Sequence, residues 1–69
     1  MASQPLGAQI RAWRLRRGLT QAALAGRAGL SQIFVAKVEG GARAPSWPTL
    51  ERLARALHVT VRLELVGRR

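Results

Sequence analysis

The sequence predicts a small, mainly α-helical domain in which four to five short helices are followed by one β-strand. Three observations carry this reading. Glycine and proline at Gly18, Gly29, Gly40, Gly41 and Pro45 divide the chain into segments of roughly ten to thirteen residues. Three segments open on a hydroxyl residue suited to cap a helix, namely Thr20, Ser31 and Ser46. After His58 the apolar spacing changes from that of a helix to strict alternation.

The first helix is expected over about residues 5–17, where Leu6, Ile10 and Trp13 fall at helical spacing and the aliphatic stem of Arg17 continues the stripe. The second, about 20–28, starts at the cap Thr20 and gathers Leu24, Ala25 and Ala28 before Gly29 stops it in a left-handed turn. Gly26 inside this helix costs about 1 kcal/mol relative to alanine. The third, about 31–39, begins at Ser31, so two short helices flank a tight turn at Gly29, which is helix-turn-helix spacing. The fourth, about 46–57, has Ser46 as cap, Pro48 in the first turn and an apolar stripe of Leu50, Leu53, Ala54 and Leu57, with Glu51 and Arg55 able to pair on the wet face. His58 stands where this helix ends, a position that often needs positive φ. The strand, about 59–66, puts Val59, Val61, Leu63 and Leu65 on one face and Thr60, Arg62 and Glu64 on the other. With no second strand in the chain, its backbone groups need water or a partner in another molecule.

The third helix has an unusual distribution of polarity. At 100° per residue, Phe34, Val35 and Val38 share one face, and Gln32, Ile33, Ala36 and Lys37 share the opposite one. The second face should meet water, yet it carries an isoleucine.

Composition narrows the function classes. The 69 residues form one domain, 1–69, which buries only about 60% of the surface its unfolded chain exposes. There is no cysteine and one histidine, so neither a disulfide framework nor a metal site of protein ligands is expected, and no cofactor is. Self-association is the remaining common source of stability. Twelve Lys and Arg against three acids give a net charge of +9, with Arg11, Arg14, Arg16 and Arg17 near the start and Arg68 and Arg69 at the end. Such a field favours a polyanionic partner. No apolar run approaches the ~20 residues that span a bilayer, and MASQPLGAQ lacks the pattern of a secretory signal, so a cytoplasmic protein without a membrane role is expected. Three acids and one histidine supply few groups for acid–base chemistry, and no nucleophile–base pair is suggested; an enzyme is not expected.

The run GLTQAALAGRAGLSQIFVAKVEGG resembles the helix-turn-helix family of phage-repressor and Cro-like (XRE-type) DNA-binding domains, and APSWPTLERLARALHV is similar to the helix that follows in that family. The likeness spans about residues 6–58 and implies a repressor-like fold and sequence-specific binding to double-stranded operator DNA. It also implies roles by position. Gln21 would bind a phosphate at the start of the first motif helix, where backbone N–H groups also point at the anion. Gln32, Ile33 and Lys37 would face the bases, with Ser31, Phe34 and Arg43 in the same DNA-binding set. Arg14 and Glu39 would form a structural ion pair across the helices. Phe34 stands where small polar residues or tyrosine are more usual, and Ile33 replaces a polar residue of many relatives.

The chemistry of the exposed face is consistent with such a role. Gln32 can pair with the N7 and N6 edge of adenine, a discrimination of about 1–3 kcal/mol, and Ile33 can cover a thymine methyl. Lys37 can reach a guanine edge or the phosphates. A solvated face with one incidental exposed isoleucine is the plain alternative.

One such unit makes few contacts, so a homodimer reading two half-sites about 34 Å apart is expected. The C-terminal strand is the natural dimerisation element, with Val61, Leu63 and Leu65 packing inward and Arg62 opposite Glu64 of a second copy. A domain of four or five helices followed by a dimerising strand is similar to the antitoxins of toxin–antitoxin operons, particularly those partnering a HipA-type kinase toxin. The resemblance thus implies a repressor with a possible protein toxin as partner; the alternatives are a stand-alone phage-like or metabolic repressor, or a module that mainly neutralises a toxin.

Overall fold

The computed structural model describes residues 4–63 and 65–67 of the chain. Among them are four helices, α1 (Leu6–Arg16), α2 (Gln21–Ala28), α3 (Gln32–Glu39) and α4 (Trp47–Leu57). Three of these begin at a hydroxyl cap. The side chains of Thr20, Ser31 and Ser46 accept from the backbone N–H groups of Ala23, Phe34 and Thr49 at 3.0, 3.1 and 3.4 Å. Each cap satisfies one donor that the first turn leaves without a partner. The caps also explain why α2, α3 and α4 start one residue later than the expected spans, which included them.

All four helices end in the same way. A residue in the left-handed region follows each one, Gly18, Gly29, Gly41 and His58. The amide after it reaches back to the last turn: Leu19 to Arg14, Leu30 to Ala25, Ala42 to Lys37 and Val59 to Ala54, at 2.8–3.0 Å. This closure satisfies carbonyls that the helix itself leaves open. Histidine at the fourth site, with φ 56° and ψ 44°, takes a conformation that glycine supplies at the other three.

The core lies where the four helices converge. Ile10 of α1, Leu24, Ala25 and Ala28 of α2, Val35 and Val38 of α3, and Leu53 and Leu57 of α4 form one buried cluster, with Trp13, Leu30, Phe34, Leu50 and Val59 packed around it. Each fully buried leucine or valine contributes about 1.5–3 kcal/mol relative to exposure. Gly7 sets the approach of α1 to α3. A β-carbon there would overlap the backbone carbonyls of Val38 and Glu39, so only glycine lets the start of α1 lie against the end of α3.

Of the four to five expected helices, four form among the described residues. No strand forms among the described C-terminal residues: 59–63 and 65–67 adopt no regular structure, and Glu64 lies outside the described residues, as do Arg68 and Arg69. A strand is defined by its ladder partner, and the described residues of a single copy offer none. Among the described residues, no helix is long and apolar enough to cross a membrane.

Candidate nucleic-acid interface

The helix-turn-helix pair, α2 and α3, is held against α1 by one buried polar network. Arg14, only 8% exposed, donates from Nε to Oε2 of Glu39 at 2.7 Å and from Nη2 to Oε1 at 2.9 Å. Its Nη1 donates to the carbonyl of Leu19 at 2.9 Å. Gln21, the first residue of α2, donates its amide to the same Oε1 at 3.2 Å. The hydrogen bond to Glu39 holds the Arg14 pKa above its ordinary value; burial opposes this, and Coulombic attraction to Glu39 adds to it. A fork-shaped donor matched to a carboxylate fixes geometry as well as charge. Gln21 is thereby oriented at the start of α2, half-buried, with part of its amide committed inside the protein.

The network leaves the outer face of α3 to its exposed side chains. Val35 and Val38 are buried and Phe34 is half-buried, whereas Ser31, Gln32, Ile33, Ala36 and Lys37 are exposed. Ile33 is 70% exposed. Ser31 uses its Oγ to cap the helix, which fixes the first turn carrying Gln32 and Ile33. Arg43, in the loop after α3, returns along the helix so that its Cζ lies 5.5 Å from the centre of the Phe34 ring. Gln32, Ile33 and Lys37 thus share one exposed face, Phe34 and Arg43 meet each other, and Gln21 is tied to Glu39 at the other end of the motif.

The residues expected to dimerise line a different surface. Val61, half-buried, and the exposed Arg62 and Leu63 border a groove of about 520 Å³ between α1 and α4, whose walls include Leu6, Trp13, Trp47 and Leu50. Leu63 and Leu65 are 72% and 91% exposed.

Comparison with known proteins decides the family. The model of the helix-turn-helix domain family matches residues 5–65. The chain belongs to this family. Among solved structures, the restriction-modification controller protein C.AhdI from Aeromonas hydrophila is 36% identical, with 81% of this chain and 85% of that one covered and a TM-score of 0.79. The P22 c2 repressor protein, solved with a synthetic operator, is 31% identical over 84% of this chain and 88% of that one, with a TM-score of 0.79. The clp gene regulator ClgR from C. glutamicum is 28% identical over 81% of this chain and 73% of its own, with a TM-score of 0.78. No curated protein matches the chain significantly.

Within this helix-turn-helix chain, several basic residues that look like a field for a polyanion also support the fold. Arg17 donates from Nε to the carbonyl of Leu57 at 2.8 Å and from Nη2 to that of His58 at 3.2 Å, closing the end of α4. Arg16 and Arg17 lie 4.9 and 5.1 Å from the centre of the Trp13 ring. Arg52 of α4 donates to the carbonyl of Gly29 at 3.0 Å, closing the end of α2. Cations at helix C-termini also complement the helix dipole. The capping roles of Arg17 and Arg52 had no local signal, because their partners lie 40 and 23 residues away in sequence. Glu51 and Arg55, which could pair on α4, do not: among the described residues, Arg14–Glu39 is the only ion pair. Both side chains are exposed, where water competes well with such a pair.

Proposed function

We propose that this protein is a sequence-specific DNA-binding transcription regulator, a repressor, that places α3 in the major groove. One observation carries the reading. Gln32, Ile33 and Lys37 stand together on the exposed face of a helix whose opposite face is anchored by Val35 and Val38. A donor–acceptor amide, an apolar group and a cation side by side have few complements in water and an apt one in base edges. Gln21 and the first turn of α2 bind a phosphate, and Gln32 reads adenine while Ile33 covers a thymine methyl. The likeness to the P22 c2 repressor, solved on a synthetic operator, and to the clp gene regulator ClgR supports a DNA-binding regulator.

The functional unit is a homodimer whose C-terminal segments pair as antiparallel strands. The exposure of Leu63, Leu65 and Val66, at 72%, 91% and 81%, favours it, since apolar residues clustered in one segment are unusual on a monomer's surface. Two copies then read a palindromic site with half-sites about 34 Å apart. Selection from randomised duplexes tests the reading: a single two-fold symmetric site supports it, and recovery of unrelated sequences contradicts it.

The same exposed segment and the apolar groove beside it favour a second reading, in which the repressor is the antitoxin of a toxin–antitoxin operon and holds a toxin, such as a HipA-like kinase, through this surface. Copurification with the protein encoded beside it, unaffected by Gln32→Ala, supports the antitoxin role. A chain that represses with no such partner is a stand-alone regulator.

A further inference from the structure

The contact between Phe34 and Arg43 couples the first turn of α3 to the loop that follows the helix. Phe34 is well fixed. Its backbone N–H is bound by Ser31 Oγ at 3.1 Å, and its half-buried ring packs against the core. Arg43 is fixed at its backbone. The left-handed Gly41 reverses the chain, and the amides of Ala42 and Arg43 both donate to the carbonyl of Lys37, at 2.9 and 3.3 Å. From that anchor the side chain runs back along α3, and its Cζ comes to 5.5 Å from the Phe34 ring centre.

A guanidinium over an aromatic ring is held through its face, so the N–H donors around its edge stay available. Arg43 is exposed and has no carboxylate partner among the described residues, where the only ion pair is Arg14–Glu39. Its remaining donors face solvent and are open to an anion from outside the protein. Location selects the kind of anion. Phe34 shares its face of α3 with the inward Val35 and Val38, so a cation resting on its ring flanks the Gln32, Ile33 and Lys37 face and does not belong to it. A cation beside a base-reading face meets the sugar-phosphate edge of the groove.

We propose that Phe34 is a positioning residue that holds Arg43 ready to clamp one DNA phosphate beside the face of α3 that reads bases. This rests on the DNA-binding reading above. An arginine already held in place loses less conformational freedom on binding than a free one. The ring accordingly contributes affinity without touching DNA and without carrying charge.

A double-mutant cycle on the full chain tests this, with equilibrium binding to the selected duplex over a salt series. Arg43→Ala should weaken binding to all duplexes alike and reduce the salt slope by about 1. Phe34→Leu leaves the net charge unchanged, yet it should weaken binding about two- to fivefold and take part of the same slope. The double variant should bind no more weakly than Arg43→Ala alone, and Phe34→Trp, which keeps a ring, should bind like the unaltered chain. If Phe34→Leu does not fold, Phe34→Met serves in its place. Independent, multiplying losses, or a Phe34→Leu salt slope equal to that of the unaltered chain, would overturn the coupling. A change at one base pair for Arg43→Ala would overturn the phosphate assignment. Failure of the unaltered chain to bind any duplex would instead refute the DNA-binding reading itself.

Discussion

Arg14 on α1 and Glu39 at the end of α3 form a two-pronged ion pair, with Nε–Oε2 and Nη2–Oε1 distances of 2.7 and 2.9 Å, and Gln21 of α2 shares the same carboxylate. One side chain of α3 thus ties together three helices, and the orientation of the exposed α3 face depends on it. A buried pair of this kind is worth little against a well-packed apolar replacement, but loss of one member strands the other.

Glu39→Ala should therefore cost about 3–5 kcal/mol, read as a shift of the denaturant midpoint. That is a large share of what a chain this short has, at about 0.05–0.15 kcal/mol per residue. Replacing both members together with apolar residues should cost much less than the single change. Because the Arg14 pKa is raised on folding, its contribution is complete below the unfolded arginine value and is lost only as pH rises through the higher folded one. Its share of the pair should thus be constant from neutral pH to about pH 10, monitored by thermal melting.

Two glycines should respond in opposite directions to alanine. At Gly7 the new β-carbon meets the carbonyls of Val38 and Glu39, and Gly7→Ala should destabilise by about 1–3 kcal/mol, because backbone has to move. At Gly26, inside α2, nothing lies within 4 Å of the added carbon, and Gly26→Ala should stabilise by about 0.5–1 kcal/mol. Chemical denaturation of both variants checks the pair.

Gln32 is exposed, and its side chain has no hydrogen-bond partner among the described residues. Gln32→Ala should leave the melting temperature nearly unchanged and relax base preference at one position per half-site, at a cost of about 1–3 kcal/mol in discrimination. A collapse of the melting temperature would show instead that the residue is structural.

Leu63, 72% exposed in the single chain, should be covered in the dimer. Leu63→Asp should yield monomer by sedimentation, with a large loss of affinity for a two-half-site duplex. A variant that stays dimeric would place the interface elsewhere.

Much of the fold was legible because its signals are local. Thr20, Ser31 and Ser46 act as caps, Gly29 and His58 stop helices in the left-handed region, and the stripe of Leu53, Ala54 and Leu57 is buried. What sequence did not reveal depends on residues distant in the chain. Arg17 was read as part of the α1 stripe and the basic cluster and Arg52 carried no reading at all, and only the packing of α1 on α4 and of α4 on α2 shows them closing helix ends. Gly7 carried no signal in its own segment, since the group it must avoid belongs to α3. The alternation after His58 was read as a strand, but alternation specifies a face and not a partner. In one chain residues 59–63 therefore stay irregular. The exposed face of α3 was visible from helical periodicity alone, whereas the Phe34–Arg43 contact required the reversal at Gly41.

The central claim is that the exposed face of α3 reads DNA sequence while the basic surface holds phosphates. Its most direct test is the affinity of the full chain for the selected duplex and for a scrambled duplex of equal length, measured across a salt series. Six to ten phosphate contacts predict a slope of about −5 to −9 in log K against log salt on the selected duplex, and a selected-to-scrambled ratio of about 10³ or more at physiological salt. Equal affinity for the two duplexes at every salt concentration would contradict the account.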